Sequence, residues 1–451
     1  MIEHLVNLEP RVLFASDVQI QRGEGFVELV GPAAETVNFS VERIDGRTIR
    51  VLGDGVTTVG GDVSRRVRIG RDALVFTLGR AAGSSVQVRD VSLAGGVRMT
   101  AAGGAGLSVA NATIGGLTAN LSGEGELIVE VLGTTVAGSV RVEGGQGQSD
   151  LRIDNSTISR DLRYENPGAA IANLQMADSR VLGRRTSVLT GDTTDTVAIS
   201  NSVFTGRFAL ATAGGADRIH FDRDRFGNIS IDDGAGLDAI EVRLSYDFNR
   251  GAHGWTPGFA DYQGAQLEDP VAEYGDLPAN IGGRGWSVGA TNRSDDLVSY
   301  LTRRIGRRQG LIGDASYVLE FDVALASDAR SNAPGIGGAE GESVVLKLGG
   351  TPIAPSTGGD LNRLNVDIGD QSNSGPAASI SGNIANGRDA GDFPDEENKP
   401  YVKMRRRHTH TFPVRAAADG GLNLFMGTES GYEGRTVLLY RRVDVTLRTQ
   451  R

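Results

Sequence analysis

The segment Leu107-x-Val109-x-Asn111-x-x-Ile114 is followed by Val129-x-Val131-x-Gly133-x-x-Val136 and then by Leu151-x-Ile153-x-Asn155-x-x-Ile158. The same spacing occurs one step earlier at Val86, Val88, Asp90 and Leu93. It continues through Leu174/Met176/Asp178/Val181, Val197/Ile199/Asn201/Phe204 and Ile219/Phe221/Arg223/Phe226. The last apolar anchor advances by 21, 22, 22, 23, 23 and 22 residues. An apolar-x-apolar pair places two side chains on one face of a strand. Asn, Asp or Gly then turns the chain, because these residues tolerate left-handed φ. The next anchor opens a second strand, and a Gly-rich turn closes the circuit. One copy cannot bury its own apolar face, whereas stacked copies share a continuous core. The expectation is an all-β chain whose residues 17–245 form a right-handed parallel β-helix of about nine coils of ~22 residues. Weaker copies are read at Ile49/Val51/Val56 and Val67/Ile69/Leu74, and a broken one at Ile240/Val242. The column at Asp90, Asn111, Asn155, Asp178 and Asn201 is expected to stack as a side-chain ladder at a packed bend.

Composition agrees with such an array. The 451 residues exceed one ordinary domain, so a repeat array or several domains are required. Glycine contributes 64 residues without a period of three, which excludes collagen. No stretch of about 18 apolar residues is present, so no helix is expected to span a membrane. A formal charge of −10 argues against general nucleic-acid binding. The chain has no cysteine, which removes disulfides, thiolate metal sites and cysteine nucleophiles together. Lysine occurs only at Lys347, Lys399 and Lys403.

Two sets of polar residues in the repeat region bear on function. Asp150, Asp195, Asp217 and Asp238 each precede an apolar pair after a Gly-containing turn. These turns resemble those of bacterial β-strand-repeat surface proteins and, more loosely, calcium-binding nonapeptide repeats. Calcium takes six to eight oxygen ligands, and most turns here offer one carboxylate. They are therefore read as turn formers, with calcium at Asp195, Asp217 and Asp238 as the weaker alternative and no other cofactor. The second set is Ile219-His-Phe-Asp-Arg-Asp-Arg-Phe226. Alternation would put His220, Asp222 and Asp224 on one outer face, as an acid/base group or as a salt-bridged rod end.

Near Ser245 the period stops. Segments at Leu297–Leu301, Tyr317–Leu325, Ser343–Leu348, Leu364–Ile368, Ser379–Ile384, Val402–Phe412, Gly421–Met426 and Thr436–Leu447 alternate with turn-rich gaps. Short strands in that arrangement predict an antiparallel β-sandwich, jelly-roll-like, over 246–451. Thr302–Gly310 reads as a short basic helix or loop. Phe248-x-x-Gly251-x-x-Gly254-Trp255 resembles the first strand of carbohydrate-binding jelly rolls, and Val437–Leu447 resembles their last. The landmarks Gly258–Tyr262, Ser294–Leu297, Gly335–Gly338, Asn365–Gly369 and Gly427–Gly434 are similar to those of a family of uncharacterised bacterial secreted or lipid-anchored proteins. In these polar loops Asp295, Asp296, Asp367, Glu429 and Glu433 are candidates to hold a metal or sugar hydroxyls. Trp255, Tyr262 and Tyr432 are candidate stacking platforms, with burial of Trp255 in the core as the competing reading. His408-x-His410, preceded by three arginines, reads as an exposed charged edge.

The first 16 residues contain no standard Sec signal peptide. Leu8-Glu9-Pro10-Arg11-Val12-Leu13-Phe14-Ala15 resembles the LEPR-XLL motif that opens many repetitive bacterial surface proteins, departing from it at Phe14. That resemblance implies a sorting-type tag and an extracytoplasmic location. The expected function is a non-catalytic scaffold or adhesin whose C-terminal domain binds a ligand, most plausibly a glycan. The alternatives are a polysaccharide lyase or hydrolase with a catalytic β-helix, and a purely structural surface component. Uncapped coil ends would allow assembly with other chains.

Overall fold

The computed structural model describes residues 16–236, 238–294, 296–392 and 399–450. The Leu8–Ala15 motif, Asp295 and residues 393–398 lie outside them. The described chain is built of strands, with four short 3-10 turns and no α-helix. It divides into two units, residues 1–220 with 224–238, and residues 221–223 with 239–451.

The first unit is a parallel β-solenoid. One long sheet stacks Asn38–Arg43, Ser84–Arg89, Ala105–Ala110, Leu127–Leu132, Gln148–Asp154, Ile171–Ala177 and Thr196–Ser200 in parallel. A second stacks Phe26–Val30, Ala73–Leu78, Val97–Ala101, Leu117–Leu121, Val140–Glu143, Leu162–Glu165 and Arg185–Leu189. Two-residue strands such as Thr113–Ile114 and Thr135–Val136 form the third, narrow side of each coil. Register joins the apolar anchors into columns: Val86, Leu107, Val129, Leu151, Leu174 and Val197 are successive partners, as are Val88, Val109, Val131, Ile153, Met176 and Ile199. All of these side chains are buried. Each fully buried Val, Leu or Ile contributes about 1.5–3 kcal/mol, so the columns supply the main favourable term. Towards the later coils Phe204, Phe208 and Phe226 replace aliphatic anchors, with ring centroids 4.9–5.2 Å apart.

Two corners explain the repeat chemistry. Asp90, Asn111, Asn155, Asp178 and Asn201 all take positive φ, between 45° and 53°, and Gly133 holds the same place at 56°. These residues are exposed, not packed, which corrects the expectation of a buried bend. The continuous ladder lies one residue later: the N–H groups of Thr134, Ser156, Ser179 and Ser202 donate to the side-chain oxygens of Ser156, Ser179, Ser202 and Asp224 at 2.7–3.2 Å. A buried corner needs an acceptor for each backbone N–H, and a short hydroxyl or carboxylate from the next coil provides it. At another corner, a Cβ on Gly115 would lie 2.4 Å from the Ala94 oxygen, and one on Gly138 would lie 2.2 Å from the Gly115 oxygen. Coils there pass at backbone distance, which accounts for part of the glycine excess.

The start of the solenoid departs from the repeat. Ser16–Gly23 runs antiparallel to Phe26–Val30, and Thr48–Gly53 runs antiparallel to Asn38–Arg43. Ile49 and Val51 therefore belong to a covering strand, not to a coil. Ser64–Arg68 adds antiparallel to Thr48–Gly53 and exposes Arg65, Arg66 and Arg68.

The second unit is a sandwich of two antiparallel sheets. One has the order Leu267–Asp276, Arg284–Asn292, Arg435–Thr449, Ser316–Ser327 and Val402–Thr409. The other has the order Thr256–Ala260, Leu297–Ile305, Leu422–Ser430, Val344–Thr351 and Ala378–Asn383. Ala239–Asp247 also belongs here: Val242 opposes Leu447 and Leu244 opposes Val445 in an antiparallel register. The apolar pair at Ile240/Val242 is thus a sandwich strand, and the second unit resumes at Ala239 rather than at 246. The strand Leu297–Ile305 takes the first four residues of Thr302–Gly310, read as a short basic helix or loop, and a 3-10 turn follows at Arg307–Gln309.

Candidate functional site

In the five-stranded sheet of the second unit, Ala260 opposes Val298, Val298 opposes Glu429, and Glu429 opposes Val345. That register brings Asp261, Asp296 and Glu429 to one end of the sheet. Glu429 and Lys347 are both buried, with Nζ 2.6 Å from Oε2. The Lys347 ammonium also donates to the carbonyls of Ile368 at 2.8 Å, Asp370 at 2.5 Å and Asn373 at 3.2 Å. It fixes the 366–377 segment over the sheet, where Val366, Ile368 and Ala377 pack with the stacked rings of Tyr300 and Phe425. Arg363 bridges Asp261 at 3.4 Å and Asp296 at 3.7 Å. Burial pushes the carboxyls of Asp261 and Glu429 above their usual range, against the lowering effect of Arg363 and Lys347 respectively.

The sequence-predicted ligand set is therefore brought together only in part. Asp296 and Glu429 share the sheet end, Asp295 lies outside the described residues, and Asp367 caps its own turn by accepting from the Gly369 N–H at 2.8 Å. Trp255 is in the core, edge-on to Tyr246 and Phe248, so it offers no exposed platform. Tyr262 is half-buried. Tyr432 is half-buried against the backbone of Gly335 and Gly434, and the Glu433 N–H donates to the Ile336 carbonyl at 2.8 Å. Glycine at 335 and 434 is what lets those two loops close on the tyrosine ring.

The strand Val402–Thr409 is the edge of its sheet and exposes Arg405 and Arg407 as expected, but His408 is half-buried and His410 buried. The buried Ser379 hydroxyl lies 2.6 Å from His408 Nε2 and 2.8 Å from His410 Nδ1. His410 Nε2 is 3.0 Å from the Pro376 carbonyl, an acceptor only, so it carries a proton. His410 Nδ1 then accepts from Ser379, and Ser379 accepts from His408 and from the Thr411 N–H at 3.1 Å. Burial pushes both imidazoles below the usual 6.5, with His410 adding to the effect on His408. An imidazole neutral in the fold and free to protonate when unfolded costs nothing above pH 6.5, and stability is lost as pH falls below it towards the folded value. NMR titration is expected to give midpoints below 6.5 for both rings. A midpoint at or above that value would contradict the Ser379-bridged neutral pair.

In the solenoid, Asp195, Asp217 and Asp238 form a second ladder. The N–H groups of Ala172, Asp195 and Asp217 donate to Oδ1 of Asp195, Asp217 and Asp238 at 2.7–2.8 Å. All three carboxylates are buried, and desolvation pushes Asp217 up. One oxygen of each thus serves as a backbone acceptor. Among the described residues no group of three His, Asp or Glu side chains is placed to hold a metal ion. Asp224 is likewise buried, with Oδ1 2.7 Å from the Ser202 N–H, whereas Asp222 is half-buried and paired with Arg223 at 2.9 Å. Asp222 and Asp224 thus do not share the outer face that alternation predicts, because the left-handed Arg223 between them breaks the alternation.

A groove of about 320 Å³ does open on the outer face of the first long sheet. Register aligns Arg152, Gln175 and Ala198 in one row and Asp154, Ala177 and Ser200 in the next. Ala177 and Ala198 leave the recess, and Arg152, Asp154, Gln175, Ser200 and His220 surround it. These are the x positions of the repeat. Their alternation showed that they face outward, but only the register shows which ones meet.

No family model matches the chain, and no curated protein does. Similarity is found to solved structures, among them the following. The CBM22-1–GH10 modules of xylanase 10B from Clostridium thermocellum, complexed with xylohexaose, share 13% identity at a TM-score of 0.22, over 46% of this chain and 28% of that one. A mannan-recognising carbohydrate-binding module, TmCBM27, shares 13% at 0.24, over 47% of this chain and 99% of that one. The bacteriophage CBA120 tailspike protein 4 shares 7% at 0.22, over 83% of this chain and 64% of that one. This chain thus spans little more than a quarter of the xylanase chain it matches.

Proposed function

We propose that the protein is a non-catalytic, extracytoplasmic binding protein whose solenoid face holds a polysaccharide chain. The observation that carries this reading is the groove at Arg152, Asp154, Gln175, Ser200 and His220. Its side chains offer paired donors and acceptors, the chemistry that sugar hydroxyls require. They stand on parallel strands about 4.8 Å apart, so a polymer of repeated hydroxyls meets repeated rows. Asp154 is the one carboxylate among the lining residues. Glycoside hydrolysis uses a pair of carboxylates across the scissile bond, and the groove lining supplies one. The resemblance of Leu8–Ala15 to a sorting-type motif supports the extracytoplasmic location. In the second unit, the sheet end at Asp261 and Asp296 offers carboxylates to the same class of ligand, but both are already bridged by Arg363, so the primary contact is assigned to the solenoid.

The test is affinity electrophoresis of the full chain against a panel of neutral and acidic polysaccharides, with calcium and with chelator. Retardation by at least one polymer is expected, unaltered by chelator because Asp195, Asp217 and Asp238 already accept from backbone N–H groups. The double variant Arg152→Ala/Gln175→Ala should weaken it about tenfold, the equivalent of losing one to two net hydrogen bonds. Asp296→Ala should leave it nearly unchanged. Binding by no polymer, or retention of full affinity by the double variant, would overturn the reading.

A further inference from the structure

The strand Arg435–Thr449 changes partner part-way along one edge. Residues 435–440 pair with Arg284–Asn292, and residues 442–448 pair with Ala239–Asp247. On its other edge the register slips at the same place: Ala324 opposes Arg442 and Leu325 opposes Tyr440, so Arg441 opposes nothing. An extra residue at such a bulge re-aims its side chain. A pocket of about 170 Å³ opens there, lined by Asp247, Asn249, Gly282, Arg284, Arg441 and Arg442 together with Ala324. Three arginines and one aspartate thus line it, in a chain whose net charge is −10.

The arginines are held in different ways. Arg284 lies over the Tyr274 ring at 4.6 Å and pairs with Asp276 at 3.8 Å, with its backbone N–H on Asn249 Oδ1 at 3.0 Å. Arg442 pairs with Asp444 at 2.9 Å and donates to Ser245 Oγ at 3.2 Å. Asp247 is offset by Arg250 at 3.4 Å. Arg441 makes no ion pair with any described residue. Gly282 and Gly283, at φ 72° and 74°, turn the chain at the rim.

We infer that this pocket is a binding site for a single oxyanion group, the carboxylate of an acidic sugar or a sulfate or phosphate, with Arg441 as its principal ligand. The guanidinium fork matches the oxygens of each of these groups, and a lysine in its place would supply charge without the fork. The pocket admits one such group, not a chain. The site is in the second unit and does not depend on the solenoid groove.

The experiment is isothermal titration of the full chain, at fixed ionic strength, with inorganic phosphate, sulfate, glucuronate and, as the neutral control, glucose. At least one oxyanion should bind and glucose should not. Glucuronate alone would identify an acidic sugar as the source, whereas phosphate or sulfate alone would identify an inorganic or esterified group. Arg441→Ala should weaken binding about tenfold or more, Arg441→Lys less, and Arg284→Ala should weaken it independently. Arg152→Ala/Gln175→Ala should leave it intact, which separates this outcome from the polysaccharide test. Absence of binding by all three oxyanions, or wild-type affinity in both Arg441→Ala and Arg284→Ala, would overturn the assignment.

Discussion

Lys347→Met is expected to destabilise the second unit by about 3–5 kcal/mol, the usual cost of removing one partner of a buried ion pair. The substitution strips the counter-ion from Glu429, which is buried, and removes the donor shared by the carbonyls of Ile368, Asp370 and Asn373. Methionine fills much of the space but satisfies none of those acceptors. The segment it releases carries Val366 and Ile368, which cover the Tyr300–Phe425 pair, so apolar contact is lost with the polar bonds. Denaturant unfolding of the full chain, followed by the fluorescence of Trp255 and Trp286, reads this unit, because both tryptophans lie in it. The sign of the pH dependence follows from Glu429. Its carboxyl is already raised, so its protonated form is favoured by the fold, and this contribution is present at low pH and lost as pH rises through the folded value. Without Lys347 the deficit should therefore shrink on acidification. The double variant Lys347→Met/Glu429→Leu should recover most of the loss, since a buried pair exchanged for apolar groups is often near neutral. A single-variant cost under about 1 kcal/mol would show that the pair is not desolvated as described.

Phe208→Ala should destabilise the solenoid by a similar amount, about 3–5 kcal/mol, through lost burial and the cavity left behind. The ring is fully buried, 4.9 Å from Phe204 and 5.0 Å from Phe226. Stability in a stack resides in each coil and in its contacts with immediate neighbours, so the damage should be local. Hydrogen exchange is expected to accelerate in Arg185–Leu189, Val203–Ala211 and Arg225–Asp232, with little change in Ala73–Leu78 or Val97–Ala101. Uniform acceleration across the solenoid would contradict the nearest-neighbour picture.

The solenoid was legible because its information is one-dimensional. Each apolar pair falls on one face of a short strand, and the columns Val86 to Val197 and Val88 to Ile199 follow from spacing alone. Spacing is silent on direction, however. Ile49/Val51 and Ile240/Val242 carry the same pattern as a coil and lie in antiparallel strands. The polar ladder was placed one residue early for a similar reason. Asn and Asp mark a left-handed turn well, but the group that must be satisfied is the N–H that follows it, and the Thr and Ser supplying the bond look unremarkable in the sequence. In the sandwich, Asp296 and Glu429 fall at one end of the same sheet, Glu429 within a strand rather than a loop. The burial of Trp255 and the role of Lys347 depend on packing across distant segments, for which local pattern holds no signal.

The antiparallel strands at the start of the solenoid set a rule for how such a molecule can change length. Ser16–Gly23 and Thr48–Gly53 already occupy the outer edges of the first strand of each long sheet, and the arginines of Ser64–Arg68 face outward beyond them. A further coil joined ahead of them would find no free parallel edge. A circuit of 22 or 23 residues duplicated between two existing coils meets only its own kind above and below, and leaves that closure untouched. A binding face made of rows can thus lengthen by whole rows while its beginning stays the same.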